Sequence, residues 1–202
     1  MKKIKLKTLV LALLLAALGT VSAGTLAYFT ADTTAHNIIT SGNVDIALVE
    51  TMLDDKGEEV PFENVAGVMP GQAVSKIVRV ENTGVGDAWV RVKLDTSVTV
   101  DDKPIEGWQN HIKYQINDRP TEEGDTAYWV AGTEGWYYYN EIVPVNGRTE
   151  PIIREVVFEA LMGNDYQNSR TEINVSAQAV QAANNPIPAG KAVTDIPGWP
   201  TK

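Results

Sequence analysis

His36 and His111 are the only imidazoles in this 202-residue chain, and cysteine is absent. Hydrolytic zinc takes two or three His or carboxylate ligands at fixed spacing, with a carboxylate as base. The two histidines are far apart in sequence and neither lies in an HExxH, so they read as isolated side chains. The lack of cysteine excludes thiol catalysis, disulfide stapling and thiolate metal sites. Asp101-Asp102, Glu122-Glu123 and Asp125 offer hard oxygen ligands for calcium, yet they lack the DxDxDG spacing of an EF-hand loop and read as solvated acidic turns. No P-loop, GxGxxG or GxSxG motif is present. Trp136, Tyr137, Tyr138 and Tyr139 could stack on sugars. In a strand, however, alternate members of such a run pack into a core and against neighbouring strands. No catalytic, metal or cofactor-binding residue is assigned, and no cofactor is expected.

The elements that would carry these residues are strands. Val44, Ile46 and Leu48 share one face, with Asp45 and Ala47 on the other, the period of a half-buried strand. Gly42 interrupts the run and suggests a bulge or a close backbone approach. The polar residues Thr30 to Asn37 before it are too rich in Thr, Asp and Ala for a core element. The acidic stretch within Thr51 to Glu63 reads as a hairpin turn or long loop, and Pro70-Gly71 as a tight turn, proline presetting φ and glycine supplying positive φ. Strands are expected on both sides of Asn82-Thr83-Gly84, with Val74, Val78 and Val80 sharing a face of the first. In the second, Val90, Val92 and Leu94 alternate with Trp89, Arg91 and Lys93. Further strands are expected around Ile112 to Ile116, Tyr128 to Val130, Trp136 to Tyr139, Ile152 to Phe158 and Glu172 to Gln181.

No stretch of the mature chain sustains a 3.6-residue apolar period. Eight or so short strands without alternating helices predict an all-β, antiparallel two-sheet sandwich, jelly-roll-like or immunoglobulin-like. The segment 184–202, with Pro186, Pro188, Pro197 and Pro200, is expected to be a flexible tail.

The first residues, MKKIKLK, are basic, Thr8 to Leu18 carry no charge, and small residues follow up to Ala23, the pattern of a secretory signal peptide. The apolar run is shorter than the roughly 20 residues that span a bilayer. Removing Lys2, Lys3, Lys5 and Lys7 from 17 basic residues leaves 13 against 26 acidic ones. Such acidity argues against nucleic acid and anionic membranes as partners and favours solubility outside the cell. What remains, roughly 175 residues, suffices for one domain with its own core.

GTLAYFTADTTAHNIITSGNVDIAL resembles the signal junction and first strand of the TasA and camelysin family, whose members are processed by a SipW-type signal peptidase. MPGQAVSKIVRVENTGVGDAWVRVKL, WYYYNEIVPVNGRTEPI and INVSAQAVQAAN are similar to later segments of that family. The resemblance implies a jelly-roll-like domain, secretion, and self-assembly into fibres of an extracellular biofilm matrix. In such fibres the N-terminal segment of one subunit completes a groove in the next. It also implies cleavage after Ala27, giving a signal peptide at 1–27 and a sandwich domain at 28–183. The generic small-residue rule instead places cleavage after Ala23. The segment to be donated would then be Tyr28 to Asn37, with Tyr28, Phe29, Thr30, Asp32 and Thr33 at its start and Phe29 as anchor. Partners would be other copies of the chain and other matrix proteins, with membrane contact only through an uncleaved signal peptide. Camelysin members are also described as metallopeptidases, which makes a secreted endopeptidase the second reading and a monomeric cell-surface binding module the third.

Overall fold

Alternation along the longest strands decides which faces meet. The computed structural model describes residues 29–41, 43–119 and 126–200. Among these, twelve strands run β1 (Phe29–Ser41), β2 (Ile46–Leu53), β3 (Glu59–Pro61), β4 (Val65–Val68), β5 (Ala73–Asn82), β6 (Ala88–Val100), β7 (Lys103–Pro104), β8 (Ile112–Ile116), β9 (Trp129–Ala131), β10 (Trp136–Tyr139), β11 (Ile153–Phe158) and β12 (Arg170–Gln181). Short 3-10 turns supply the only helical residues described.

The strands form two sheets. The larger runs β4-β1-β12-β6-β10-β9, with β7 attached to β6, and the smaller runs β3-β2-β5-β11-β8. Val90 and Val92 of β6 with Ile173, Val175, Ala177 and Ala179 of β12 meet Val78 and Val80 of β5 and Val156 and Phe158 of β11 in one core between the sheets. The expected all-β sandwich is therefore observed.

Turn chemistry matches the strand ends. Asp54 closes the β2–β3 hairpin, its Oδ1 accepting from the Lys56 and Glu58 backbone N–H groups at 2.8 and 2.9 Å. At Pro70-Gly71 the glycine takes φ +84° and Gln72 N–H donates to the Met69 carbonyl, the turn its dipeptide predicts. Asp101 and Asp102 both adopt positive φ between Val100 and its partner Lys103, a two-residue hairpin turn of the kind that short acidic side chains tolerate.

Two features depart from the alternation. Every pairing between strands is antiparallel except β1 with β12, which is parallel. The polar stretch Thr30 to Asn37, expected to lie outside the core elements, is thus part of a strand. Backbone pairing with β12, joined by β4 only at Phe29 to Ala31, does not require an apolar pattern, and threonine favours extended backbone. The second departure is the proline-rich segment read as a flexible tail. It lies across the outer face of the larger sheet, with Val193 and Ile196 buried against Trp89, Trp136, Tyr138 and Val180. Burying two such aliphatic side chains contributes about 1.5–3 kcal/mol each.

Candidate assembly site

The element of functional interest is β1. It is the first strand of the described chain, yet it lies inside the larger sheet, between β12 and β4. Its pairing with β12 runs from Thr30↔Arg170 to Ser41↔Val180, and one extra β1 residue is accommodated between Thr34 and Asn37. That irregularity is a bulge, which bends a strand and raises its twist. On the other side Phe29, Thr30 and Ala31 pair antiparallel with Val68, Ala66 and Val65.

This placement makes β4 dependent on β1, because β4 has no other partner in the larger sheet. Without β1, the long edge of β12 and the short edge of β4 would both carry unpaired amides and carbonyls. A groove of this kind accepts an added strand through main-chain hydrogen bonds. Near β4 the sandwich is already open: a cavity of about 360 Å³ lies among Met52, Leu53, Val65–Val68 and Gln72–Ser75. The far end of β1 is only partly covered as well, with Ile38 and Ile39 exposed at 39% and 40% although their partners Ala177 and Gln178 are buried.

The chain is fastened immediately after β1. The Asp45 carbonyl accepts from Thr83 N–H at 2.9 Å and from Gly84 N–H at 3.0 Å, and Val44 is buried. Gly84 is needed for this approach, since a Cβ there would lie 2.4 Å from the Asp45 nitrogen. Asn82 braces the same loop. Its Oδ1 accepts from Gly84 N–H, and its Nδ2 donates to the carbonyls of Gly86 and Val143 at 2.9 and 3.0 Å. The thirteen residues of β1 therefore lead directly into a fixed point of the chain.

The sequence-predicted residues fall as follows. Ala27 and Tyr28, at the expected cleavage point, lie outside the described residues, as do Gly42 and the acidic group Glu122, Glu123 and Asp125. Phe29, Thr30, Asp32 and Thr33 are brought into one strand, paired with Val68, Arg170, Glu172 and Ile173 respectively. The role of Phe29 as a side-chain anchor and the His36 side chain lie outside what is described. His111 follows the 3-10 turn before β8 and packs edge-on against Tyr166, with ring centroids 5.1 Å apart. The aromatic run divides between the faces: Tyr139 joins the inter-sheet core, with Tyr137 packed against it, and Trp136 and Tyr138 join the outer cluster.

Sequence reasoning missed β4 and β12 as the two walls of the groove, and it missed a buried ion pair. Four residues are too few to show a period, which hid β4. Lys76 Nζ lies 2.8 Å from Glu50 Oε2, with side chains 1% and 5% exposed, and stands 3.9 Å from the Phe62 ring centre. Burial pushes the Lys76 ammonium below its ordinary range, and the Glu50 carboxylate partly restores it.

The profile of the camelysin metallo-endopeptidase family matches residues 2–118, which include β1 to β8 and the groove wall β4. The chain belongs to this family. No curated protein and no solved structure matches it. The family's description implies a metal, which would need a cluster of His or carboxylate donors. Among the described residues no three His, Cys, Asp or Glu side chains stand together where an ion could be held, and His111 is engaged with an aromatic ring instead. The described residues do not fit a hydrolytic metal centre. No helix among them is long and apolar enough to cross a membrane.

Proposed function

We propose that this protein is a secreted structural component of an extracellular biofilm matrix, whose subunits join into fibres by donating β1 to the groove between β12 and β4 of a neighbour. The observation that carries this reading is that the first described strand pairs along β12 and at Phe29 to Ala31 is also the only partner of β4 among the described strands. In a single subunit β1 fills its own groove. In a fibre the same hydrogen bonds form between copies, so exchange leaves the bonding unchanged and the assembly gains only what the junctions add, the thermodynamics of strand swapping. The partly exposed Ile38 and Ile39 and the short three-residue pairing with β4 support this reading, while the longer pairing with β12, from Thr30 to Ser41, is the contact a neighbour's β1 would have to reproduce.

Secretion follows in this reading from the basic and apolar N-terminal segment, with maturation after Ala27 and fibre growth outside the cell. The test compares the mature protein with a chain beginning at Asn43. Electron microscopy and sedimentation should show fibres for the first and none for the second. A synthetic peptide of residues 28–41 should bind the shortened chain and restore its thermal stability. Fibres from the shortened chain would refute the reading.

A further inference from the structure

The ion pair of the smaller sheet stands on the side of the sandwich that β1 closes. Leu48 and Met52 flank Glu50 on the inward side of β2, and Val74 and Val78 flank Lys76 on that of β5, so each charge interrupts an apolar row. Met52 and Val74, the next inward residues of the same two strands, line the cavity beside β4. β1 lies across from this corner, in contact with β2 and paired with β4. The two charges therefore belong to the surface on which β1 is seated, next to an existing opening.

The remaining cover of the pair is fixed to the smaller sheet. Phe62, whose ring centre is 3.9 Å from Lys76 Nζ, donates its N–H to the Glu50 carbonyl at 3.1 Å, so this ring stays with β2 whatever β1 does. With β1 in place the side chains of Lys76 and Glu50 are only 1% and 5% exposed. Burial pushes the Lys76 ammonium below its ordinary range, and the attraction of Glu50 offsets this only in part. These are charges that gain by meeting water. Lifting β1 would let water reach them through the cavity while Val78 and Val80 stay in the core between the sheets. An apolar pair at the same place would lose by that step, whereas an ionic pair gains.

We propose that Lys76 and Glu50 form a release device for β1. A seated β1 keeps two charges dry, and the strain of doing so is relieved when the strand leaves, so the pair loosens β1 selectively while the rest of the core stays closed. The use of such a release rests on the exchange of β1 proposed above. The loosening itself is a property of the single subunit and needs no second copy.

The test is amide hydrogen exchange followed by mass spectrometry on the dilute, monomeric mature protein, comparing wild type with Lys76→Met/Glu50→Leu. Exchange is read as the rate of residues 29–41 relative to that of residues 153–158 in β11, which pairs with β5 and β8 and not with β1. In wild type β1 should exchange faster than β11, by local opening. Removing both charges should slow β1 at least about tenfold and β11 by less, so that the ratio falls. Lys76→Gln/Glu50→Gln, also uncharged, should move the ratio the same way and serves where the apolar pair does not fold, which circular dichroism shows. A wild-type β1 that exchanges no faster than β11, or a ratio unchanged or raised in a folded uncharged variant, would overturn the proposal. The fibre comparison with the shortened chain bears on strand donation alone, so the two readings fail separately: fibres built through another surface would leave these exchange rates as they are.

Discussion

Lys76 and Glu50 form an ion pair 2.8 Å long that is almost wholly removed from water. Lys76 shares its strand parity with the core residues Val78 and Val80, and Glu50 is paired in register with Val78. An apolar pair at that position would avoid the desolvation of two charges, so the ionic pair is not there for stability alone. Its effect is to make each partner intolerant of losing the other. Lys76→Met alone should destabilise the domain by about 3–5 kcal/mol, and Glu50→Leu alone by a similar amount, whereas the double variant should lie near wild type or above it. Urea unfolding of the four proteins checks the cycle, and additive losses would contradict it.

Alkaline unfolding should be governed by buried tyrosines. Burial raises the Tyr114 hydroxyl to about 12, only partly offset by its hydrogen bond with Thr96, and burial also raises Tyr139 and Tyr166. A raised folded-state value means that the native protein keeps protons the unfolded chain has released. The stability these groups support is complete below pH 10 and is lost as pH rises towards about 12. Lys76 acts in the opposite sense, since its lowered value makes stability rise as pH approaches 10.5. The difference in unfolding free energy between wild type and Tyr114→Phe, followed from pH 9 upward, should therefore shrink across that window.

Gly84→Ala should lower the melting temperature. The added methyl group meets backbone, the Asp45 nitrogen and the Val44 Cα, neither of which can rotate away. Overpacking of this kind costs about 1–3 kcal/mol. If β1 hangs from this point, the variant should also change how quickly fibres form, which turbidity or light scattering would record. A variant with unaltered melting would mean that the loop shifts freely and is no anchor.

The sandwich was legible because its central strands are half-buried and alternate. Val90, Val92 and Leu94 on β6 and Ile173, Val175, Ala177 and Ala179 on β12 spell out one face each. The turn dipeptides Pro70-Gly71 and Asp101-Asp102 marked their own positions. What stayed hidden was whatever the period does not encode. The Thr-rich run of β1 looked too polar for a core element because a strand held by its backbone needs no apolar period, and parallel pairing with β12 leaves no local signature. Proline content made residues 184–200 look unstructured, although three scattered residues, Val193, Ile196 and Trp199, suffice to seat them on the sheet. Arg91 alternated outward as a solvent-facing residue would, and only the fold brings Trp136 and Trp199 to either side of it.

The proposed exchange of β1 is open to a direct trapping test, because a chain with no cysteine accepts an engineered pair without competing thiols. Asn37 and Ser176 are Cα partners on β1 and β12, and neighbouring strands lie about 4.8 Å apart, within the span a disulfide bridges. The double variant Asn37→Cys/Ser176→Cys is allowed to assemble under reducing conditions, oxidised, and run on a denaturing gel without reductant. Strand donation predicts a ladder of covalent multimers from assembled material and a cross-linked monomer from protein kept dilute. A cross-linked monomer alone, recovered from authentic fibres, would show that β1 stays in its own subunit and would contradict the account.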